Sequence, residues 1–346
     1  MKLDQGQLAQ TARLLKESEK VWITTHVKSD GDGIGSEIAL YRALRAMGKD
    51  ARVVNDTCVP HSLRFLMRCE GEILLYDPLR DLPFLREADT AVVLDVGLAY
   101  RLGRLEQPFL ESGARKVCLD HHLDHDPIFT HSLVDSTATS TGEVLYPLLK
   151  AMGVPITPDV AAPLFASISV DSGNFAYERC TPETFRTAAD LVAAGANPYQ
   201  VHLSLNWERP LEEIRLEGEV IQRLRIDPCG RVAHSEVTAE MLRRYRINPM
   251  EMPTVVNIPL SLKDVEVALL FVEMEPCCIK VSARSKGAVR VSDLAHRFGG
   301  GGHPLAAGFS VKTSLDEART RVLAEARDLL GLPSRACADV KDIKAG

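Results

Sequence analysis

Short apolar, β-rich runs recur through the first 190 or so residues, and four of them end in an acid or a histidine. Val21–Thr25 leads into His26, Ala91–Leu94 into Asp95, Lys116–Leu119 into Asp120-His121-His122, and Phe165–Val170 into Asp171. Ala51–Asn55 is a fifth run of the same kind. Helical stretches separate them. Ile34–Met47 places Ile38, Leu40, Tyr41, Leu44 and Met47 at helical spacing, with Gly48 as a C-terminal cap, and Thr141–Met152 repeats the scheme before Gly153. Strand–helix alternation of this kind predicts a parallel, doubly wound α/β sheet. Leu164–Asp171 is expected to be one of its strands. In such a sheet ligands bind at the carboxyl ends of the strands, which is where the acids and imidazoles fall.

The second half changes character. Thr181-Pro182-Glu183-Thr184 reads as a helix start, with the helix running to Ala194 and stopping at Gly195. A polar helix is expected over Leu211–Arg223. Strands are expected at Val220–Ile226, Arg231–Val237, Thr254–Leu262, Val265–Met274, Cys278–Ser285 and Ala307–Val311. Helices are expected at Val291–Phe298 and Leu315–Leu330, and Asp227-Pro228-Cys229-Gly230 reads as a hairpin turn. This composes a smaller α+β domain. The expected division is a catalytic domain over 1–195, a linker over 196–216, a second domain over 217–335 and a tail over 336–346. The active site is expected in the cleft between the domains.

The formal net charge of -6 and an aromatic content of 5% argue against a grip on long nucleic acid, which favours a basic groove and stacking platforms. A short anionic substrate remains compatible, because cations in a cleft invert the local field. The eight cysteines include no CxxC pair, so reduced thiols are expected; Cys277-Cys278 would alternate across a strand. No stretch is long and apolar enough to span a bilayer, and the first residues lack the apolar core of a secretory leader. A cytoplasmic protein without membrane attachment is the resulting expectation.

His26, Asp30 and Asp32 crowd one segment with Gly31, Gly33 and Gly35, read as a loop whose glycines let the side chains turn inward. Carboxylates mixed with imidazoles suit Mn²⁺, Mg²⁺ or Fe²⁺ over thiolate-preferring metals. Clustered acids would otherwise repel and take up protons. Taken singly, each residue has an ordinary explanation: Asp95 as a helix cap, Asp30 and Asp32 as turn residues, His121 and His122 as surface or core histidines. Their joint placement at successive strand ends is what points to a metal site. In the second half, Gly299–Gly302 with His303 follows Ser282-Ala283-Arg284-Ser285-Lys286. A glycine run alone would be a flexible turn. Beside Arg284 it reads as phosphate recognition, by backbone amides and a bidentate guanidinium.

These motifs resemble the DHH/DHHA1 phosphoesterase superfamily. The resemblance rests on His26…Asp30-Gly31-Asp32-Gly33-Ile34-Gly35-Ser36, Asp95, Asp120-His121-His122, Asp171, and Gly300-Gly301-Gly302-His303-Pro304-Leu305-Ala306-Ala307-Gly308-Phe309. Within the superfamily the chain is most similar to the NrnA-type oligoribonuclease and pAp phosphatase branch, whose mark is Ser282–Gly287 before the glycine motif. One departure is Ser29, where the family often has proline; no ligand position is lost. The resemblance implies two divalent cations, Mn²⁺ foremost. One would be held by His26, Asp30 and Asp95, the other by Asp32, His121 and Asp171, with Asp95 bridging. It further implies His122 facing the phosphate, Asp120 orienting the imidazoles, and Arg284, Gly300, Gly301, Gly302 and His303 binding substrate. The implied substrates are very short RNA or DNA oligonucleotides, or 3′-phosphoadenosine 5′-phosphate (pAp); a homodimer is left open. The competing readings are a linear or cyclic dinucleotide phosphodiesterase, a RecJ-like single-strand exonuclease, and a nucleotide-binding sensor without catalysis.

Overall fold

The computed structural model describes residues 3–249, 255–287 and 289–332. It divides into two compact units, 1–208 and 209–346. The first unit contains, in chain order, α1 (Gln5–Glu17), β1 (Lys20–Thr25), α2 (Gly31–Ala46), β2 (Asp50–Asn55), β3 (Ile73–Leu75), α3 (Pro78–Glu87), β4 (Thr90–Leu94), α4 (Glu106–Glu111), β5 (Arg115–Asp120), β6 (His131–Val134), α5 (Thr141–Ala151), α6 (Pro158–Asp171), α7 (Pro182–Ala193) and α8 (Pro198–His202).

The six strands form one parallel sheet in the order β3-β2-β1-β4-β5-β6. The order reverses between β1 and β4, which makes that gap the topological switch point and the natural ligand crevice. The central strands β1, β4 and β5 are buried almost throughout, as strands covered on both faces must be. One apolar cluster packs α1, α2, α5 and α6 on one face; another, around Trp22, Phe84, Leu102 and Phe109, covers the other.

The expected strand over Leu164–Asp171 is instead the second half of α6. Thr157 precedes the helix and Pro158 opens it, and every residue from Pro163 to Ser169 is buried. An apolar run buried on all sides shows no helical period, so its sequence cannot be told from that of a core strand. The glycines of the first motif also act differently from expectation. Gly31, Gly33 and Gly35 lie inside α2, not in a loop. A Cβ at Gly35 would sit 2.4 Å from the Pro163 carbonyl oxygen, so the glycine is there to let α2 meet α6 at close range.

The second unit contains α9 (Leu211–Gln222), β7 (Arg225–Ile226), β8 (Val232–Val237), α10 (Ala239–Tyr245), α11 (Asn257–Leu260), β9 (Val267–Glu275), β10 (Cys278–Ser285), α12 (Val291–Arg297), β11 (Gly301–His303), β12 (Ala306–Val311) and α13 (Leu315–Leu329). Its sheet runs β11-β12-β10-β9-β8-β7, antiparallel except for the β8–β9 pair. The expected strand at Val220–Ile226 is divided, with Val220–Gln222 ending α9 and only Arg225–Ile226 forming β7, and of Thr254–Leu262 the described part holds α11. Cys277 occupies a left-handed turn position (φ 60°) before β10 and does not alternate with Cys278 on a strand. The Asp227–Gly230 turn joins β7 to β8, closed by Gly230 N–H donating to the Asp227 carbonyl at 2.8 Å. The tail over 336–346 lies outside the described residues. Among those described, no helix is long and apolar enough to cross a membrane.

Candidate metal centre

Six side chains gather at the switch point. His26 follows β1 and Asp95 follows β4. Asp30 is the N-cap of α2, its carboxylate accepting from the amides of Asp32 (3.0 Å) and Gly33 (3.4 Å). Asp32 sits in the first turn of α2, His121 follows β5, and Asp171 is the last residue of α6. Donor atoms of His26, Asp30 and Asp95 lie within 4.8 Å of one another, and so do those of Asp32, His121 and Asp171.

Asp95 joins the two sets. Its Oδ2 is 3.4 Å from Nε2 of His26, and its Oδ1 is 3.5 Å from Nε2 of His121. The same His121 nitrogen is 3.5 Å from Asp32 Oδ2 and 3.3 Å from Asp171 Oδ2. These separations exceed a good N–H···O contact but suit ligands gathered about a cation, each about 2 Å from it. Nδ1 of His26 faces the Val27 carbonyl at 2.9 Å and Nδ1 of His121 faces that of Ala138 at 3.4 Å. A proton on Nδ1 of His26 leaves its Nε2 as the donor atom to a metal, and in His121, whose Nδ1 also meets the Arg179 guanidinium at 3.1 Å, Nε2 is the nitrogen turned to the carboxylates.

The electrostatics require positive charge. Asp32 is fully buried, and burial followed by the charges of Asp95 and Asp171 pushes its pKa well above the ordinary carboxylate value. Desolvation and the same two neighbours push Asp30 up to about 6. Asp30 keeps an exposed outer edge, so water screens part of that effect and Asp32 carries more of the cost. Asp95 goes the other way: burial would raise it, but contacts from His121 and His26 hold it well below the ordinary value. A cluster of four carboxylates with two imidazoles, buried at Asp32, Asp95 and both rings, is stable at neutral pH when divalent cations fill it, so the donor set fits two such ions.

The backbone at Asp95 is left-handed (φ 61°), an uncommon conformation for a residue with a side chain. Its amide donates to the Leu119 carbonyl at 3.0 Å, and Thr141 Oγ1 donates to Oδ1 at 3.2 Å. Asp32 is held by the start of α5 and by α6. The amides of Thr141 and Gly142 donate to it at 2.8 and 3.2 Å, and Ser167 Oγ at 2.5 Å. These supporting groups were missed from sequence. Ser140-Thr141-Gly142-Glu143, a helix-start pattern, was the available signal.

Asp120 is fully buried. Its Oδ1 accepts from the amides of His121 and His122 at 2.7 and 3.2 Å and from His122 Nδ1 at 2.7 Å. Burial opposes ionisation, but contacts from His122 and His125 outweigh it and bring Asp120 to about 2. His122 is half-buried, with its ring 4.7 Å from that of His121. Two further residues, marked by no sequence motif, adjoin these groups. Arg179 brings Nη2 within 3.1 Å of His121 Nδ1 and 3.3 Å of the Ala138 carbonyl. His125 has its pKa raised, chiefly by contact with Asp120.

Glu37, one turn along α2, is fully buried and accepts from Asn55 Nδ2 at 2.8 Å. Burial pushes it up to about 8, so it is protonated at pH 7. Its folded pKa lies above the ordinary value of 4.5, so its stabilising contribution is complete below that value and lost as pH rises through 8. Keeping it neutral at pH 7 costs on the order of 3 kcal/mol relative to the unfolded chain. Glu37→Gln is therefore expected to raise the melting temperature, with a gap over wild type that grows from pH 5 to pH 8. A gap that shrinks over that range in thermal melts would contradict a protonated Glu37.

In the second unit, Arg284 of β10 pairs with Ala306 of β12, and Ala306 pairs with His303 of β11. Directly opposed residues share a face, so Arg284 and His303 stand on the same side of the sheet. Along β10 burial alternates, with Lys280, Ser282 and Arg284 on the outer side. Small residues Ala306 and Gly308 of β12 lie between β10 and β11. The glycine run is more committed than expected. The amides of Gly299 and Gly300 donate to the carbonyls of His296 (3.1 Å) and Ala295 (2.9 Å), closing α12, and Gly301 and Gly302 belong to β11. An anion cradle in this segment would have to do without the first two amides.

The chain is similar to known proteins along most of its length. Residues 20–168 match the DHH family, N-terminal domain, and 230–331 match the DHHA1 domain. The chain is 34% identical over 323 residues to a bifunctional oligoribonuclease and PAP phosphatase of Thermus thermophilus, covering 92% of this chain and 93% of that protein. It is 28% identical to the protein of the same name from Bacillus subtilis, covering 92% and 96%. An exopolyphosphatase-related protein from Bacteroides fragilis superposes with a TM-score of 0.87 at 26% identity, over 94% of this chain and 96% of that one.

Proposed function

Because the chain belongs to the DHH family and carries its DHHA1 domain, we propose that it hydrolyses very short oligonucleotides to mononucleotides and removes a phosphate from pAp. The observation that carries the chemistry is the pair of donor groups sharing Asp95. Similarity along nearly the whole length to relatives named as oligoribonucleases and PAP phosphatases supports the substrate class.

Two divalent cations, Mn²⁺ in first place, would be held by His26, Asp30 and Asp95 and by Asp32, His121 and Asp171. When bound, they lower the pKa of water and neutralise charge on a phosphoryl group. The chain's own residues do the rest. Asp95 sets the spacing of the two groups. The amides of Thr141 and Gly142 keep Asp32 oriented. Asp120 holds the His122 ring through Nδ1–H, which makes Nε2 the nitrogen that would take up a proton and pass it on to the leaving group. Arg284 and His303, with Gly301 and Gly302, would receive the substrate's terminal phosphate from one face of the second sheet, while the Gly300 amide, spent on the Ala295 carbonyl, would not take part. A charge of -6 with few aromatics favours short substrates over long strands.

The test is a length series with 5′-labelled oligonucleotides of two to about twenty residues, with pAp alongside, in Mn²⁺. Fastest release of mononucleotide from the dinucleotide is expected. Arg284→Ala is expected to raise KM more than it lowers kcat. Faster cleavage of the longest strands would favour a RecJ-like exonuclease. Tight binding of the dinucleotide with no product would favour a sensor.

A further inference from the structure

We propose that His125 is a positioning residue, holding Asp120 and through it His122, and tying the His121–His122 loop to the loop that begins at Asp95. This rests on the phosphoesterase reading above. Asp120 spends one oxygen on each of two imidazoles. Oδ1 accepts from His122 Nδ1 at 2.7 Å, while Oδ2 faces His125 Nε2 at 3.2 Å. The second contact is off-line for a good hydrogen bond, yet both atoms are buried and neither has another partner. Buried polar atoms rarely go unpaired, so each is the other's means of satisfaction. Nδ1 of His125 lies 3.2 Å from the Leu123 carbonyl, which pins the ring from its far side.

An independent set of contacts joins this ring to the Asp95 loop. A Cβ on Gly97 would lie 2.3 Å from Cδ2 of His125 and 2.3 Å from the Asp124 carbonyl oxygen, so the ring rests directly on the Gly97 backbone. The next residue completes the join. Asp126 donates its amide to the Gly97 carbonyl at 2.8 Å and accepts from the Ala99 amide at 2.6 Å. Residues 124–126 are thus fastened to 97–99, immediately past the left-handed backbone of Asp95. Such a conformation persists only when its surroundings enforce it. The plainer alternative is a histidine that merely fills space. Filling space would not require its nitrogen to face the one carboxylate oxygen left over by His122.

The experiment compares wild type, His125→Ala, His125→Gln and Gly97→Ala. The proton position on the His122 ring is read by ¹⁵N NMR of the metal-free protein, and kcat and KM are measured on a dinucleotide with Mn²⁺. Wild type is expected to hold the His122 proton on Nδ1. His125→Ala is expected to mix the two tautomers and lower kcat by about tenfold to a hundredfold, as loss of an outer partner does, with KM little changed. His125→Gln, which keeps a donor, should recover most of both. Gly97→Ala displaces the ring from outside and should mix the tautomers even if His125→Ala fails to fold. An unchanged His122 tautomer in His125→Ala and Gly97→Ala, or mixed tautomers with unchanged kcat, would overturn the proposal. Absence of wild-type turnover would instead overturn the phosphoesterase reading, and the NMR result would still decide whether His125 holds His122.

Discussion

Asp95→Ala is expected to lower dinucleotide turnover by more than ~10³-fold, beyond the ~10–100-fold typical of a residue that only supports a ligand. Every other acid in the centre belongs to one donor group. Asp95 alone places one oxygen against His26 and the other against His121. Its loss removes a ligand from both groups and the element that sets their spacing. The strained backbone at φ 61° is relieved only in part, because alanine still has a Cβ. The folded state should survive, since the contacts that define the sheet lie in β1, β4 and β5. Turnover within tenfold of wild type by purified, Mn²⁺-loaded Asp95→Ala protein, with normal circular dichroism, would remove Asp95 from the bridging position.

The second large effect is on stability, and it links cations to pH. Asp32 and Asp30 have folded pKa values raised by burial and by their acidic neighbours. Their stabilising contribution is therefore complete below the ordinary value of 3.8 and is lost as pH rises through their raised values. The cation-free protein should lose stability from about pH 4 upward through pH 6. Bound cations reverse the trend, because their ligands must be deprotonated and affinity climbs over the same window. Two sites each filled at a hundred times Kd add about 5 kcal/mol, or ~10–20 °C in melting temperature for a unit of this size. Thermal melts with and without Mn²⁺ should show that shift near pH 7.5 and a smaller one at pH 5. A shift equal at both pH values, or none, would mean that these carboxylates are not the ligands.

Sequence exposed the residues that carry charge and concealed those that aim it. His26, Asp95 and His121 follow strands whose apolar runs are plain to read, so their convergence at the β1–β4 crevice could be anticipated. Asp171 ends a helix where the sequence reads as a strand, because α6 is apolar on all sides and shows no period of 3.6. The edge strands went unread. Ile73–Leu75 is three residues long, and His131–Val134 is half polar. In the second unit the alternation along Cys278–Ser285 was legible and predicts which side Arg284 takes. The supports of the centre were legible only in part, for a physical reason. The hydroxyl of Ser167 acts on Asp32 from far along the chain with nothing local to mark it, the amides of Thr141 and Gly142 are marked only as a helix start, and His125 reads as an ordinary loop histidine. Even Glu37 reads as an ordinary helix acid until its burial beside Asn55 is known.

The most direct test of a two-cation phosphoesterase centre is release of mononucleotide from a 5′-labelled dinucleotide by the cation-stripped wild-type protein, titrated with Mn²⁺, beside Asp95→Ala. Activity that is absent without cation, appears as close to two equivalents bind, and is missing from Asp95→Ala is the expected result. Undiminished hydrolysis by the cation-free protein, or saturating Mn²⁺ binding with no product from wild type, would contradict it.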